Sequence, residues 1–128
     1  MEPSIEIQTT QNDLKAQGHT PLTKEELLAL ISGNTVIGDY EYSGHRIYRT
    51  FMNPNGEMEA KNDWGSHEFG KWQVEDDGCL SVTWDGYWED WTAAAFKVDG
   101  EIKFYNIENG TWQTTFNTIM PGEQSLDV

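Results

Sequence analysis

The stretch FKVDGEIKFYNIENGTWQTTF, Phe96 to Phe116, decides the fold of this chain. Its Asp99-Gly100 and Asn109-Gly110 pairs each separate two runs that are rich in aromatic and β-branched residues. Such pairs are typical of tight hairpin turns, because both central residues of the turn take positive φ angles. The stretch therefore predicts three consecutive antiparallel strands joined by short connections.

The same punctuation continues toward the start of the chain. EDDG at 75–78 and NPNG at 53–56 mark two further turns between strand-forming runs. The runs that we expect to be strands are NTVIGDY, HRIYRTFM, EMEAKNDW, FGKWQV, CLSVTW, WTAAAFKV, EIKFYNI and TWQTTFNTIM. Together they predict an all-β meander of about eight strands.

A meander of this size has two exposed edges unless its last strand pairs with its first. Closure into a barrel removes both edges, which are otherwise sites of unwanted pairing with other chains. An eight-stranded barrel is just wide enough to be filled by side chains or to hold one small ligand. We therefore predict an antiparallel barrel, with an open, strongly curled sheet packed against a helix as the alternative.

Alternation along the strands suggests which side chains face the interior. The apolar residues expected to point inward are Leu80, Val82, Trp84, Ala94, Phe96, Val98, Ile102, Phe104, Trp112 and Phe116. Thr92 and Thr114 share their faces, so the predicted interior is not wholly apolar.

The run HRIYRTF raises the question of an interior arginine. If Ile47 and Phe51 face inward, so does Arg49, which would then need a carboxylate or an anionic ligand as its partner. We favour this register. The opposite register places Arg46, Tyr48, Thr50 and Met52 inside instead.

One short helix is expected before the strands. Thr23 and Glu26 have the spacing of a capping box, an apolar stripe follows, and Gly33 supplies the stop, so we place the helix at 23–32. It would belong to a single barrel domain covering 22–120. The polar, aperiodic segment 1–21 and the segment 121–128 are expected to be a flexible arm and a flexible tail.

The charge balance restricts the partners that the chain can have. The 22 acidic residues outnumber the 8 basic ones and give a net charge of -14, which would repel phosphate backbones and anionic lipid head groups. We therefore expect no nucleic-acid partner, while cationic partners remain permitted. No apolar run is long enough to insert across a membrane, and the beginning of the sequence shows no signal-peptide pattern.

The residues that usually carry chemistry form no recognisable motif. The single cysteine, Cys79, allows neither an intramolecular disulfide nor a cysteine-based zinc site, and its place in CLSVTW predicts a buried, inert thiol. His19, His45 and His67 lack metal-ligand spacing. No pair of acids stands out for glycoside hydrolysis, and phosphate loops and nucleophile motifs are absent from the sequence. We expect no metal, no cofactor and no enzymatic activity.

Several motifs taken as a set resemble those of a known family. They are Ser32-Gly33-Asn34-Thr35 after the helix, Gly70-Lys71-Trp72, and the segment from Gly78-Cys79 to Trp84. This pattern resembles a family of small proteobacterial proteins of unknown function, over residues 22 to about 112. Members of that family look like lipocalin-type barrels and are usually exported.

The resemblance implies a calycin-like fold and a periplasmic or secreted location, but it implies no activity. Relatives often carry a second cysteine where this chain has WEDWTAAAF, so Cys79 is left without a partner. The Gly70-Lys71-Trp72 triplet is interpreted as a packing feature, in which the glycine allows close approach and the tryptophan closes one barrel end.

The segment DGYWEDW, Asp85 to Trp91, is the best candidate for a site. On a rim loop, its Tyr87, Trp88 and Trp91 would stack on a flat ligand or a sugar, while its three acids would accept hydrogen bonds. The alternative is a hairpin whose aromatic residues only seal the barrel end.

Two functional hypotheses follow. The first is a non-enzymatic protein that binds a small, partly apolar ligand in the barrel mouth. Its site would combine Tyr87, Trp88 and Trp91 with Phe96, Phe104 and Trp112 inside the barrel and Arg49 as a counter-charge. The second is an interaction or inhibitor module that presents an acidic, aromatic outer surface on a solid barrel to a basic protein. A hollow interior favours the first hypothesis, and a filled one favours the second.

Overall fold

The computed structural model describes residues 10–41 and 44–127. Two short helices precede eight strands. The helices are α1 (Gln11–Ala16) and α2 (Lys24–Ile31), and the strands are β1 (Thr35–Glu41), β2 (His45–Met52), β3 (Glu57–Asn62), β4 (His67–Val74), β5 (Leu80–Trp84), β6 (Trp91–Val98), β7 (Glu101–Asn106) and β8 (Trp112–Met120). Each strand overlaps one of the runs that the sequence predicts to be strands, although β1 ends one residue after its run and β4 begins two residues before its run.

The strands form a closed antiparallel barrel in simple sequential order. Each strand pairs with the next, and β8 returns to pair with β1 over Thr35 to Asp39. The predicted barrel is confirmed, and the open curled sheet is excluded. The shortest seam lies between β5 and β6, where only the pairs Leu80 to Ala93, Ser81 to Thr92 and Val82 to Trp91 are in register.

The hairpin between β6 and β7 has the turn that its sequence predicts. Asp99 has a φ of 53° and Gly100 a φ of 84°, so both central residues occupy the left-handed region. This is the backbone of the turn type whose twist matches that of the flanking strands. The Asp-Gly pair therefore sets the register of β6 against β7.

Helix α2 closes one end of the barrel. Its capping box is formed as expected, because the Glu26 backbone N–H donates to the Thr23 hydroxyl and the Thr23 N–H donates to the Glu26 carboxylate. Leu27 and Ile31 are fully buried in the barrel core. Beside them, the indole of Trp72 donates to the carbonyl oxygens of Asn53 and Glu57, both at 3.0 Å. The predicted helix is confirmed.

The expectation of a flexible arm is wrong for residues 11–16, which form α1. Leu14 from this helix is only 3% exposed and packs on the outer face of the barrel, beside Phe96 and Tyr105. The Gln11 N–H also donates to the Gly110 carbonyl oxygen at 2.8 Å. Residues 1–9 of the predicted arm lie outside the described residues.

The predicted tail also has defined contacts over 121–127. The Gln124 N–H donates to the hydroxyl of Thr35 at 2.9 Å, and that hydroxyl donates to the Gly122 carbonyl oxygen at 2.8 Å. Because Thr35 is fully buried, these bonds satisfy a polar group that has no access to water. Val128 lies outside the described residues.

The predicted inner face of β6 is wrong. Ala93 and Ala95 point into the barrel core, whereas Ala94, Phe96 and Val98 face outward into a second cluster beneath α1. Both faces of this strand are apolar because one meets the core and the other meets a helix, so alternation cannot distinguish them. Trp112 is likewise outside, packed in the same second cluster, and Thr92 faces outward to bond Ser81.

The outer face of β1 carries an incompletely satisfied acid. Asp39 pairs through Oδ2 with His45 Nε2 at 3.1 Å, but among the described residues its buried Oδ1 has no hydrogen-bond partner. Desolvation raises the pKa of Asp39 above 3.8, against the opposing effect of His45. An acid whose pKa is higher in the folded state favours unfolding as it ionises, so stability is lost as the pH rises through the folded pKa.

We therefore expect Asp39→Asn to raise the free energy of unfolding at pH 7, by about 1 kcal/mol. The gain should shrink as the pH falls from 7 to 4, because a growing fraction of the wild-type carboxyl then takes up a proton. Urea unfolding followed by tryptophan fluorescence at both pH values measures the difference. Asp63→Asn, on an exposed residue, is the control. A gain that is equal at the two pH values would contradict the assigned cost of ionising Asp39.

Candidate functional site

The barrel encloses a cavity of about 750 Å³ that opens at the end opposite α2. Its opening, the mouth, is formed by the ends of β1, β3 and β5 and the starts of β4, β6 and β8. The cavity exists because inner positions of β2 and β3 carry slender side chains, namely Thr50, Met52, Met58 and Ala60. The interior is therefore hollow near the mouth and filled with side chains near α2.

Four tryptophans line the cavity, and three of them come from the segment between β5 and β6 and its flanks. They are Trp64, Trp84, Trp88 and Trp91. The rings of Trp84 and Trp88 meet edge to face, with centroids 4.8 Å apart and an interplanar angle of 71°. The backbone N–H of Trp84 donates to Asp90 Oδ1 at 2.8 Å, which draws the two ends of the loop together. The predicted rim loop thus brings its aromatic residues to the mouth.

The loop is also held from across the seam by β4. The Glu68 carboxylate lies against Gly86, and the Tyr87 N–H donates to Glu68 Oε2 over 3.4 Å. The Asp85 N–H donates to the Phe69 carbonyl oxygen at 2.9 Å. Tyr87, which is 99% exposed, stands at the tip of this loop beside the mouth. The Glu68 carboxylate therefore packs against the loop that carries the aromatic residues.

Two linked hydrogen bonds between buried hydroxyl groups cross the barrel interior. The Thr114 hydroxyl donates to the Asp39 carbonyl oxygen at 2.7 Å, so it accepts from the Tyr48 hydroxyl, also at 2.7 Å. Burial raises the pKa of Tyr48 far above its ordinary value, which keeps this phenol protonated. These hydrogen bonds fix the Tyr48 ring, which meets the Tyr40 ring edge to face with the two centroids 5.6 Å apart.

Asn62 organises the turn between β3 and β4 and carries a polar group to the cavity. Its side-chain oxygen accepts from the backbone N–H groups of Trp64 at 3.0 Å and Ser66 at 2.9 Å. Its amide nitrogen donates to the Tyr40 hydroxyl oxygen at 3.1 Å. Because that oxygen acts as an acceptor here, the hydroxyl proton of Tyr40 remains available to a ligand.

The charges around the mouth are predominantly negative. Glu41, Glu68 and Glu89 line the cavity, together with His67, whose Nε2 lies 2.6 Å from Glu59 Oε2. All eight lysines and arginines lie in the described ranges, and none of them lines the cavity. Over residues 10–41 and 44–127, no group of three His, Cys, Asp or Glu side chains is arranged to hold a metal ion.

The interior position predicted for Arg49 is wrong. Tyr48, Thr50 and Met52 face inward, so Arg49 points outward, where its Nη1 donates to the Ser125 carbonyl oxygen at 3.2 Å. Both faces of β2 carry apolar residues, so alternation along the sequence does not show which face points inward. The alternative register also placed Arg46 inside the barrel. In the structure, the guanidinium carbon of Arg46 lies 3.9 Å from the ring centroid of Trp64.

The other predicted site residues divide into two groups. Tyr87, Trp88 and Trp91 line the cavity, and Phe104 lies behind its lining, fully buried between Trp91 and Phe116. Phe96 and Trp112 are separated from the cavity by the barrel wall, because they belong to the cluster under α1. The predicted set is therefore not one site.

Sequence reasoning missed several residues that line the cavity. Tyr40, Asn62 and Gln113 carried no recognisable motif, since a strand residue near a barrel mouth looks like any other half-buried residue. Tyr48 faces inward only in the alternative register of β2. A signal did exist for β2 and β3, where the pattern of alternate residues continues across the turn in Tyr48, Thr50, Met52, Met58 and Ala60.

Cys79 lies outside the cavity, in the cluster with Leu14 and Phe96. Burial, with the nearby Asp77, raises the pKa of its thiol to about 11, so the thiol carries its proton at neutral pH. The expected buried thiol is confirmed in its placement. A protonated, buried thiol is a poor nucleophile.

Comparisons of the chain with protein-family models, with curated proteins and with solved structures give no match. Neither helix in the described part of the chain has the length and apolar content needed to cross a membrane.

Proposed function

We propose that this chain is a non-enzymatic binding protein that holds a small, partly apolar ligand in the mouth of its barrel. The observation that supports the proposal is the cavity of about 750 Å³, which is lined by eight aromatic side chains and a few convergent polar groups. Small-molecule sites commonly have this size and composition. The hollow interior favours this function over the competing one, for which a solid barrel is expected.

The residues of the site divide the work of binding. Trp84, Trp88 and Trp91 offer rigid apolar surface, and large rigid rings gain contact area with little loss of conformational entropy. The Tyr40 hydroxyl and the Gln113 amide supply hydrogen bonds that would orient the ligand. The resemblance of the sequence to exported, lipocalin-like proteins adds the expectation that the ligand is met outside the cytoplasm.

Binding of a neutral fluorescent dye tests the proposal. We expect N-phenyl-naphthylamine to bind the wild-type protein with a rise in fluorescence, and Trp88→Ala to raise its Kd about tenfold, a loss of about 1.4 kcal/mol. Trp112→Ala is the matched control, because the same side chain is removed from the outer face. Its Kd should stay within about twofold of the wild-type value. Circular dichroism verifies that both variants remain folded.

Native mass spectrometry of the gently purified protein complements the dye. A reproducible non-covalent adduct that is lost in Trp88→Ala would support the proposal and supply the mass of the ligand. A clean mass together with no dye binding would contradict it. If Trp112→Ala weakened the dye as much as Trp88→Ala, the binding surface would not be the cavity.

A second candidate function is an interaction module for a basic protein. The observation that favours it is the tip of the loop, where Tyr87 is 99% exposed between the acidic residues Asp85 and Glu89. Aromatic side chains are enriched in protein interfaces, and acidic neighbours complement a cationic surface. In that case Tyr87→Ala would abolish capture of a basic partner, whereas Trp112→Ala would leave that capture unchanged.

A further inference from the structure

We propose that the cavity selects organic cations, meaning an amine or quaternary ammonium group carried on an apolar body. This inference rests on the proposed binding function and specifies the chemical class of the ligand. Its basis is the combination of an aromatic lining with carboxylates at the mouth and the exclusion of every lysine and arginine from that lining.

The distribution of charge discriminates against anions. A carboxylate or phosphate entering the mouth would meet Glu41, Glu68 and Glu89 and no lysine or arginine among the lining residues. The net charge of -14 extends the same field beyond the mouth. Like charges brought together without a counter-charge cost binding energy, whereas a cation gains from the same field.

The aromatic lining supplies the second half of the recognition. The faces of tryptophan and tyrosine rings attract cations, and the attraction grows as water is excluded. The chain itself illustrates this chemistry, because the guanidinium carbon of Arg46 lies 3.9 Å from the ring centroid of Trp64. Trp84, Trp88 and Trp91 also line the cavity, where a ligand cation would reach them.

Glu68 is the carboxylate best placed to pair with such a cation. It lies against Gly86 and below the rim loop, so it reaches the mouth next to the tryptophan pair. Its long bond to the Tyr87 N–H leaves most of its acceptor capacity free. A carboxylate beside aromatic faces holds an ammonium group by charge and orients it by hydrogen bonds.

Three probes with one skeleton test the inference. Phenethylamine, phenethyl alcohol and hydrocinnamate carry a positive, a neutral and a negative head group on similar phenylalkyl bodies. Calorimetric titration at low salt should give the amine an affinity about tenfold higher than that of the alcohol, with the acid binding weakest. Raising the salt concentration should reduce the advantage of the amine.

The carboxylate is tested by Glu68→Gln, which keeps the shape of the side chain and its ability to accept from Tyr87. We expect this variant to lose about fivefold in amine affinity and to keep its affinity for the alcohol within about twofold. Glu123→Gln is the matched control, because Glu123 is exposed near the opposite end of the barrel. It should behave as the wild type with all three probes.

The outcomes separate this inference from the function on which it rests. If the alcohol or the acid binds the wild-type protein as tightly as the amine does, selection for cations is overturned while the binding function stands. If no probe binds and the neutral dye fails as well, both are overturned. If the amine is preferred but Glu68→Gln has no effect, the role assigned to Glu68 is overturned.

Discussion

Phe104→Ala is expected to lower the free energy of unfolding by about 4 kcal/mol, because it leaves a large void in a closed core. Phe104 is fully buried, and its ring centroid lies 4.6 Å from that of Phe116 and 5.9 Å from that of Trp91. Both neighbours line the cavity, so they lose support when the ring is removed. Urea unfolding followed by circular dichroism measures the loss.

Phe69→Ala is the matched control for this change. Phe69 is 53% exposed on the outer side of β4, and the same substitution there should cost less than about 1 kcal/mol. Equal costs at the two sites would contradict the packing of the interior. The comparison also assigns Phe104 its role, since sequence analysis grouped it with the ligand contacts while the structure places it behind them.

Gly70→Ala is expected to cost about 3 kcal/mol for a different reason. A methyl group at Gly70 would overlap the backbone carbonyl oxygen of Thr83, and it would also lie 3.0 Å from the Trp84 ring and 3.1 Å from the end of Met58. The carbonyl belongs to the strand paired with β4, so it cannot withdraw without breaking the ladder. Thermal and urea unfolding should both show the loss.

Gly86→Ala provides the comparison for Gly70→Ala. The three atoms nearest to a methyl group at Gly86 would all belong to the carboxylate of Glu68, which is the end of a flexible side chain and can rotate away. We expect less than about 1 kcal/mol of destabilisation. If Gly70→Ala lowered the free energy of unfolding as little as Gly86→Ala does, the result would contradict the close approach of β4 and β5.

Gly70 also connects the fold with the site. Trp84 and Met58 are its partners on the two neighbouring strands, and both side chains line the cavity. The absence of a side chain at position 70 is what lets them lean over this part of the wall. The interpretation of Gly70-Lys71-Trp72 as a packing feature agrees with these contacts, because Trp72 seals the closed end with its two indole hydrogen bonds.

The sequence by itself determined the strands, the turns and the capping helix. These features depend on neighbours within a few residues, such as the Asp99-Gly100 turn or the bonds between Thr23 and Glu26. Closure of the barrel followed from the number of strands and the cost of leaving edges unpaired. The rim loop was also predictable in part, since a loop that joins two neighbouring strands, here β5 and β6, has to lie at a barrel end.

Only the tertiary structure decided which faces of β2 and β6 point inward and where α1 lies. On both strands the two faces are apolar enough to be buried, so the choice depended on how the side chains fit the interior and on what covers the outside. Phe96 faces outward because Leu14, about eighty residues earlier, covers it, and Arg49 faces outward because Tyr48 and Met52 occupy the core, which leaves it to donate to Ser125. Contacts between residues so far apart leave no local pattern, and the shape of the cavity depends on them.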